Sequence, residues 1–232
     1  MADSKKVSAL PLFKNGVHAG ALQRTPKGCR LIFSEDFARS HRGRQFCFHI
    51  PISDQPYSWT GVGLPAYFAG LLPEGLRLSA LVRRLKTSDD DLFSILVEGG
   101  QEPVGDIHFS ESSQHKSQKV PNDFTKLQQQ LSEGLDVGGN ALAGVQEKMS
   151  ADRISLPVSI KRKNKSYILK LAASKHPDQI ENEFFCLKIA KACGLNVNEA
   201  NIVTDSLGTK ALLVERFDRE WDSNLNQWRR FH

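Results

Sequence analysis

The run Gly138-Gly139-Asn140-Ala141-Leu142-Ala143-Gly144-Val145-Gln146-Glu147-Lys148 is followed at a distance by Lys170, by Glu183 and by the segment Val214-Glu215-Arg216-Phe217-Asp218. Residues of these types could hold the phosphates and the base of a nucleotide. Gly144, with small Ala141 and Ala143 ahead of it, lets backbone N–H groups approach phosphate oxygens. A plain turn accounts for the same glycines. Lys170 stands in an otherwise apolar strand, on the face of Ile168 if the strand is regular. An ion pair with Glu183 on the following helix would aim its ammonium at phosphates. Alternatively Lys170 reaches solvent and Glu183 makes an ordinary surface pair worth about 0.5 kcal/mol. The apolar strand Ala211-Leu212-Leu213-Val214 runs straight into Glu215-Arg216-Phe217-Asp218-Arg219, where a base could dock on the backbone or the chain could simply make a polar turn.

These residues need sheets and helices to hold them, and the composition supplies them. The chain has 232 residues, 40% of them hydrophobic and 25% charged, which is ordinary for globular protein. The start Met-Ala-Asp-Ser-Lys-Lys has no apolar core for a signal peptide, and the apolar stretch around Val62 to Leu72 is too short to span a bilayer and contains Pro65. A cytoplasmic protein without membrane contact is expected. Cys29, Cys47, Cys186 and Cys193 form no Cys-x-x-Cys pair and have no histidine at metal-ligand spacing, so buried reduced thiols are expected, with no metal site. The net charge of +5 could favour a phosphate-bearing partner without identifying one. Its sharpest cluster, Lys161-Arg162-Lys163-Asn164-Lys165, reads as a solvated hairpin turn, with contact to a DNA backbone as the rival reading.

Residues 1–110 read as a small β-rich unit. Leu10 to Val17 is a strand running into an Asn15-Gly16 turn; Arg30-Leu31-Ile32-Phe33 and Gln45 to Ile50 are further strands. From Pro65 to Leu96 the period becomes helical, through Leu78, Leu81, Val82 and Leu85, and Ser88 with Asp89-Asp90-Asp91 precedes Leu92 to Val97 as a cap. Residues 111–121, rich in Ser, Gln and Lys, form an exposed linker. Residues 122–232 then give a short helix with Phe124, Leu127 and Leu131, and a hairpin of Leu156 to Ile160 with Tyr167 to Leu171. A helix capped by Asp178 follows, with an apolar stripe of Ile180, Phe184, Leu187 and Cys193 and a stop at Gly194. Ala200 to Val203 and Ala211 to Val214 complete a second sheet. The fold class is α+β.

In its order of motifs the chain resembles the HipA family, the serine/threonine-kinase toxins of bacterial toxin–antitoxin systems. The resemblance rests on Asn15-Gly16-Val17-His18-Ala19-Gly20, on Phe68-Ala69-Gly70-Leu71-Leu72-Pro73-Glu74-Gly75 and on Gly100 through Val104-Gly105-Asp106-Ile107. Later in the chain it rests on Leu142 to Lys148, Ile168-Leu169-Lys170-Leu171, Glu181-Asn182-Glu183-Phe184-Phe185-Cys186, Gly194-Leu195-Asn196-Val197 and Val214 to Arg219. It implies a β-rich amino-terminal subdomain followed by a kinase-like small lobe, an antiparallel sheet plus a helix, with ATP held between that lobe and a helical large lobe. Ala143, Gly144, Val145, Gln146, Glu147 and Lys148 would line the phosphates, Lys170 would contact them with Glu183 as its brace, and Glu215, Arg216 and Phe217 would hold adenine through the backbone. It further implies ATP and Mg as cofactors of the complete enzyme, a HipB-like helix-turn-helix antitoxin as partner, operator DNA reached through that antitoxin, and proteins of the translation machinery as substrates.

Two departures qualify what the resemblance implies. Ala141 stands where many members carry a serine for inhibitory autophosphorylation. The family's large lobe, with its catalytic-loop aspartate and asparagine and its magnesium-binding aspartate, has no counterpart in these residues. Phosphoryl transfer depends on that base and metal site, so weak or no ATP binding and no catalysis are expected of this chain alone, and no catalytic residue is assigned. A separate large-lobe or kinase polypeptide would then be a partner. The rival expectation is a non-catalytic module that binds the antitoxin or a kinase; a basic nucleic-acid-binding module without kinase ancestry rests on charge alone. Trp221, Trp228 and Phe231 would form an exposed apolar patch if a large lobe normally covers them.

Overall fold

The computed structural model describes residues 4–61, 63–73, 75–100, 103–109, 120, 122–132, 154–160, 165–172, 178–224 and 227–231. The expected linker, apart from Val120, and the basic residues 161–164 lie outside them.

The chain begins with a hairpin of β1 (Ala9–Lys14) and β2 (Val17–Thr25). Asn15 and Gly16 both adopt left-handed backbone, φ 51° and 78°, as a two-residue turn between twisted strands requires. Ala19 is an extra residue opposite Leu12–Phe13, a bulge that brings Gly20 to φ 146°. β3 (Gly28–Phe33) pairs next, followed by α1 (Glu35–Ser40), whose first turn is capped by the Ser34 hydroxyl accepting from the Phe37 N–H.

The stretch 45–50 is not the single strand expected from its apolar residues. It divides into β4 (Gln45–Cys47) and β5 (Ile50–Pro51), because His49 takes left-handed backbone and reverses the chain. After β6 (Tyr57–Thr60) come α2 (Ala66–Ala69), α3 (Gly75–Leu85), α4 (Leu92–Gly99) and the short β7 (Ile107–His108). The antiparallel sheet runs β6-β3-β2-β1-β7. Leu12, Leu22, Leu31, Phe46, Phe68, Ile95, Leu96 and Ile107 are its buried core with the helices.

Asp91 is the residue of the acidic run that caps α4, accepting the Ser94 N–H while also holding Thr87 and Arg24. Burial pushes its carboxyl up, but the hydrogen bonds from Ser94, Thr87 and Arg24 outweigh it and leave the group below the usual carboxylate range.

The second body starts with α5 (Phe124–Ser132), β8 (Ile154–Ile160), β9 (Lys165–Leu171) and α6 (Gln179–Ala192), and continues with β10 (Ala200–Thr204) and β11 (Lys210–Glu215). Its sheet has the order β10-β11-β9-β8, antiparallel throughout. Side chains alternate across it: Tyr167, Leu169, Leu171, Ala211 and Leu213 meet Phe124 and Leu127 of α5, whereas Leu212 and Val214 meet Ile180 of α6. Helix α6 ends as expected at Gly194, φ 82°, whose N–H bonds the Lys191 carbonyl while Leu195 bonds that of Ala190. Asp178 occupies the N-cap position without a side-chain hydrogen bond.

Two expectations about the thiols and one about the apolar stripe need correction. Cys29 and Cys47 are buried, but Cys186 and Cys193 are exposed, and all four are free. Cys193 lies about 140° round the helix from Ile180, so the inward stripe is Ile180, Phe184 and Leu187 alone. The opposite side carries Phe185 and Ile189, both exposed.

Finally, β12 (Arg219–Asp222) and β13 (Gln227–Arg230) form a hairpin. Trp221 and Trp228 face each other across it, edge to face with ring centroids 5.4 Å apart. Each ring thus covers part of the other, and the two tryptophans are half-buried rather than open; Phe231 is the exposed aromatic of the three. No helix among the described residues is long and apolar enough to cross a membrane.

Candidate functional site

Strand β9 presents Lys170 on the α6 side of the second sheet, opposite Leu212 of β11 and Ser155 of β8. Its neighbours two residues apart belong to that face, because strand side chains alternate. Glu183 lies in the first turns of α6, one turn after Ile180 has anchored the helix on the sheet. Lys170 Nζ donates to Glu183 Oε1 at 2.6 Å. The side chains are 24% and 22% exposed, so the pair is shielded from bulk solvent yet still reachable. A lysine ammonium has three N–H bonds, and the one directed at Glu183 fixes the position of the group.

The end of β11 leaves the sheet next to this face. The Glu215 N–H donates to the Glu199 carbonyl at 2.8 Å and the Arg216 N–H to that of Ser166 at 2.9 Å, so both donors serve the fold. Glu215 also receives Lys165 Nζ at 2.6 Å, with Glu199 at 3.3 Å from the same ammonium. Hydrogen bonds first to Glu215 and then to Glu199 hold Lys165 above the ordinary lysine range. The Phe217 ring is 67% exposed. Ala143, Gly144, Val145, Gln146, Glu147 and Lys148 lie outside the described residues.

What the sequence reading missed is beside Phe217. Arg216, Asp218 and Arg219, read from the sequence as part of a charged segment that docks a base on its backbone or makes a polar turn, are buried. Asp218 accepts from Arg216 Nε and Nη2 at 2.8 and 2.7 Å and from Arg219 Nη1 at 2.7 Å. Burial pushes the Asp218 carboxyl up, but the Arg216 hydrogen bonds, the Arg216 and Arg219 charges and the Gly105 N–H together hold it below the usual carboxylate range. An Arg-x-Asp-Arg run after an apolar strand is the only local signal, and it does not distinguish a buried cluster from an exposed turn. Among the described residues no group of three or more His, Cys, Asp or Glu comes together to hold a metal ion.

Comparison with known proteins bears on both bodies. Residues 10–110 match the HipA N-terminal domain and residues 140–232 the HipA-like C-terminal domain. Two curated proteins of Sinorhizobium fredii (strain NBRC 101917 / NGR234) are similar over most of the chain. The protein named "Putative kinase Y4dM" is 28% identical over 183 residues, 71% of this chain and 42% of its own length. The one named "Putative kinase Y4mE" is 28% identical over 181 residues, 68% of this chain and 42% of its own length. The chain therefore spans less than half the length of these relatives.

Proposed function

The chain belongs to the HipA family, and from that premise we propose that it forms the nucleotide-holding part of a HipA-type serine/threonine-protein kinase, acting in a cytoplasmic toxin–antitoxin system. The observation that carries this reading is the Lys170–Glu183 contact of 2.6 Å between β9 and α6. In this role Glu183 holds the ammonium in place and Lys170 meets the phosphate oxygens of ATP, a charge-assisted contact that grows in value as water is excluded. The amides of 143–148 line the phosphates and the backbone of Glu215–Phe217 receives adenine. Magnesium, bound to the complete enzyme, would neutralise phosphate charge.

On this reading the general base and the magnesium-binding aspartate come from a helical large lobe. A polypeptide of residues 1–232 by itself binds ATP weakly and transfers no phosphoryl group. The test is calorimetric titration with ATP and magnesium of the wild-type chain and Lys170→Ala. Weak binding that the substitution lowers further supports the reading; equal binding by both overturns the role of Lys170.

The outward Phe185 and Ile189 of α6 favour a second reading, in which the chain is a non-catalytic module that binds a HipB-like helix-turn-helix antitoxin, and operator DNA through it, or a separate kinase polypeptide. Titration against the antitoxin tests it, and absence of saturable binding removes the antitoxin as partner.

A further inference from the structure

The cluster around Asp218 joins two parts of the chain that are far apart in sequence. Besides the two arginines, Asp218 Oδ2 accepts the backbone N–H of Gly105 at 2.9 Å, across 113 residues. Arg219 donates from Nη2 to the Pro103 carbonyl at 2.8 Å and from Nη1 to the Gly105 carbonyl at 3.0 Å. The neighbouring Asp106 is tied to the first sheet: its carboxylate pairs with Lys14 Nζ at 2.7 Å and its carbonyl accepts the Asn15 N–H at 2.9 Å. A continuous polar path thus runs from the β1–β2 hairpin, through 103–106, to Asp218 and Arg216, and Arg216 is the middle residue of Glu215–Phe217.

Stability does not explain such a cluster. Removing a carboxylate and two guanidinium groups from water carries a large desolvation penalty, and well-packed apolar residues in their place are often as stable or more so. What the cluster supplies is direction. A guanidinium presents its donors in a rigid planar fork, and Arg216 meets Asp218 with two parallel bonds, so a shift or rotation at either end breaks contacts.

We propose that Asp218 and Arg219 are positioning residues that transmit the placement of the 103–106 loop to Glu215–Phe217, so that a nucleotide on that segment is energetically coupled to the placement of 103–106. This inference rests on the nucleotide reading above. Coupling of this kind is reciprocal: whatever moves 103–106 changes nucleotide affinity, and nucleotide stiffens 103–106.

Hydrogen–deuterium exchange on the full chain tests it, with wild type, Asp218→Asn and Arg219→Lys, each with and without ATP and magnesium. Arg219→Lys keeps the charge and loses the fork. Without nucleotide, both variants are expected to exchange about tenfold faster at 103–107 and 214–217 together, with β2 and β9 unchanged, which separates loss of positioning from loss of folding. In wild type, saturating ATP is expected to slow exchange at 214–217 and also at 103–107; in the variants the second response disappears. ATP protection of 214–217 without 103–107 in wild type, or protection of 103–107 that survives both substitutions, overturns the coupling alone. Protection of neither segment overturns the nucleotide reading and this inference with it.

Discussion

Lys170 and Glu183 meet at 2.6 Å, one on a strand and the other on the helix that covers it. Partly shielded but not buried, such a pair is worth little to the fold, within about 1 kcal/mol. Glu183→Gln, which keeps the shape and removes the charge, is therefore expected to leave the unfolding midpoint nearly unchanged. If the proposed nucleotide role holds, its effect is expected on ligand binding, where a misplaced ammonium costs a charged hydrogen bond and ATP affinity should fall about tenfold. Calorimetry on the variant checks this, and unchanged affinity would leave the pair a purely structural contact.

Asp218 makes the stability of the chain acid-sensitive in a defined direction. Its folded carboxyl titrates below its unfolded value of about 3.9, so the folded state binds the proton less readily. Its contribution is fully present above about pH 4 and is lost as pH falls through the folded value. Urea unfolding from pH 7 to pH 3 should show this loss in wild type, and the wild-type minus Asp218→Asn difference should shrink over the same range. At pH 7, Asp218→Ala is expected to cost about 3–5 kcal/mol, since it leaves two buried guanidinium groups without their carboxylate.

The bulge in β2 leaves no room for a side chain at Gly20. A Cβ there would lie 2.0 Å from the Ile32 carbonyl oxygen and 2.7 Å from Phe33 Cα, both backbone atoms, at φ 146°. Gly20→Ala must shift β3 or unmake the bulge, and a loss of about 3 kcal/mol or more is expected. Thermal unfolding measures it. Gly16→Ala, whose added Cβ would meet no described atom within 4 Å beyond its chain neighbours, should lose only the smaller cost of left-handed backbone.

The cysteines divide into two reactivity classes. Burial pushes the Cys47 thiol up to about 12 and also raises Cys29, whereas Cys186 and Cys193 are exposed. Alkylation of native protein followed by peptide mapping should label Cys186 and Cys193 first, with Cys29 and Cys47 reacting only on unfolding. Rapid native labelling of Cys47 would contradict its place in the core.

Much of the fold was legible because local chemistry dictates it. Asn15-Gly16 admits the left-handed pair that a tight hairpin needs, and Gly194 closes α6 with carbonyl bonds that any helix end requires. The Lys170–Glu183 pairing followed from motif order; spacing alone left solvent exposure open. The buried state of Arg216, Asp218 and Arg219 was not legible, since the partners that make burial tolerable, Pro103 and Gly105, are more than a hundred residues away. The inward side of α6 was legible in Ile180, Phe184 and Leu187 and was misjudged only at Cys193, which lies round the helix with the exposed Phe185 and Ile189. At 45–50 an apolar run hid a reversal, since nothing in the side chains announces left-handed backbone at His49.

Strand β9 is hydrogen-bonded on both flanks, to β8 and to β11, while α6 rests on its sheet through one apolar side. The ammonium is therefore mounted on a strand paired along both edges and the carboxylate on a helix held to the sheet by one apolar side and by ion pairs. A change in the distance between them therefore reports rotation of α6 against the sheet, which a spectroscopic ruler from β9 to α6 would read directly.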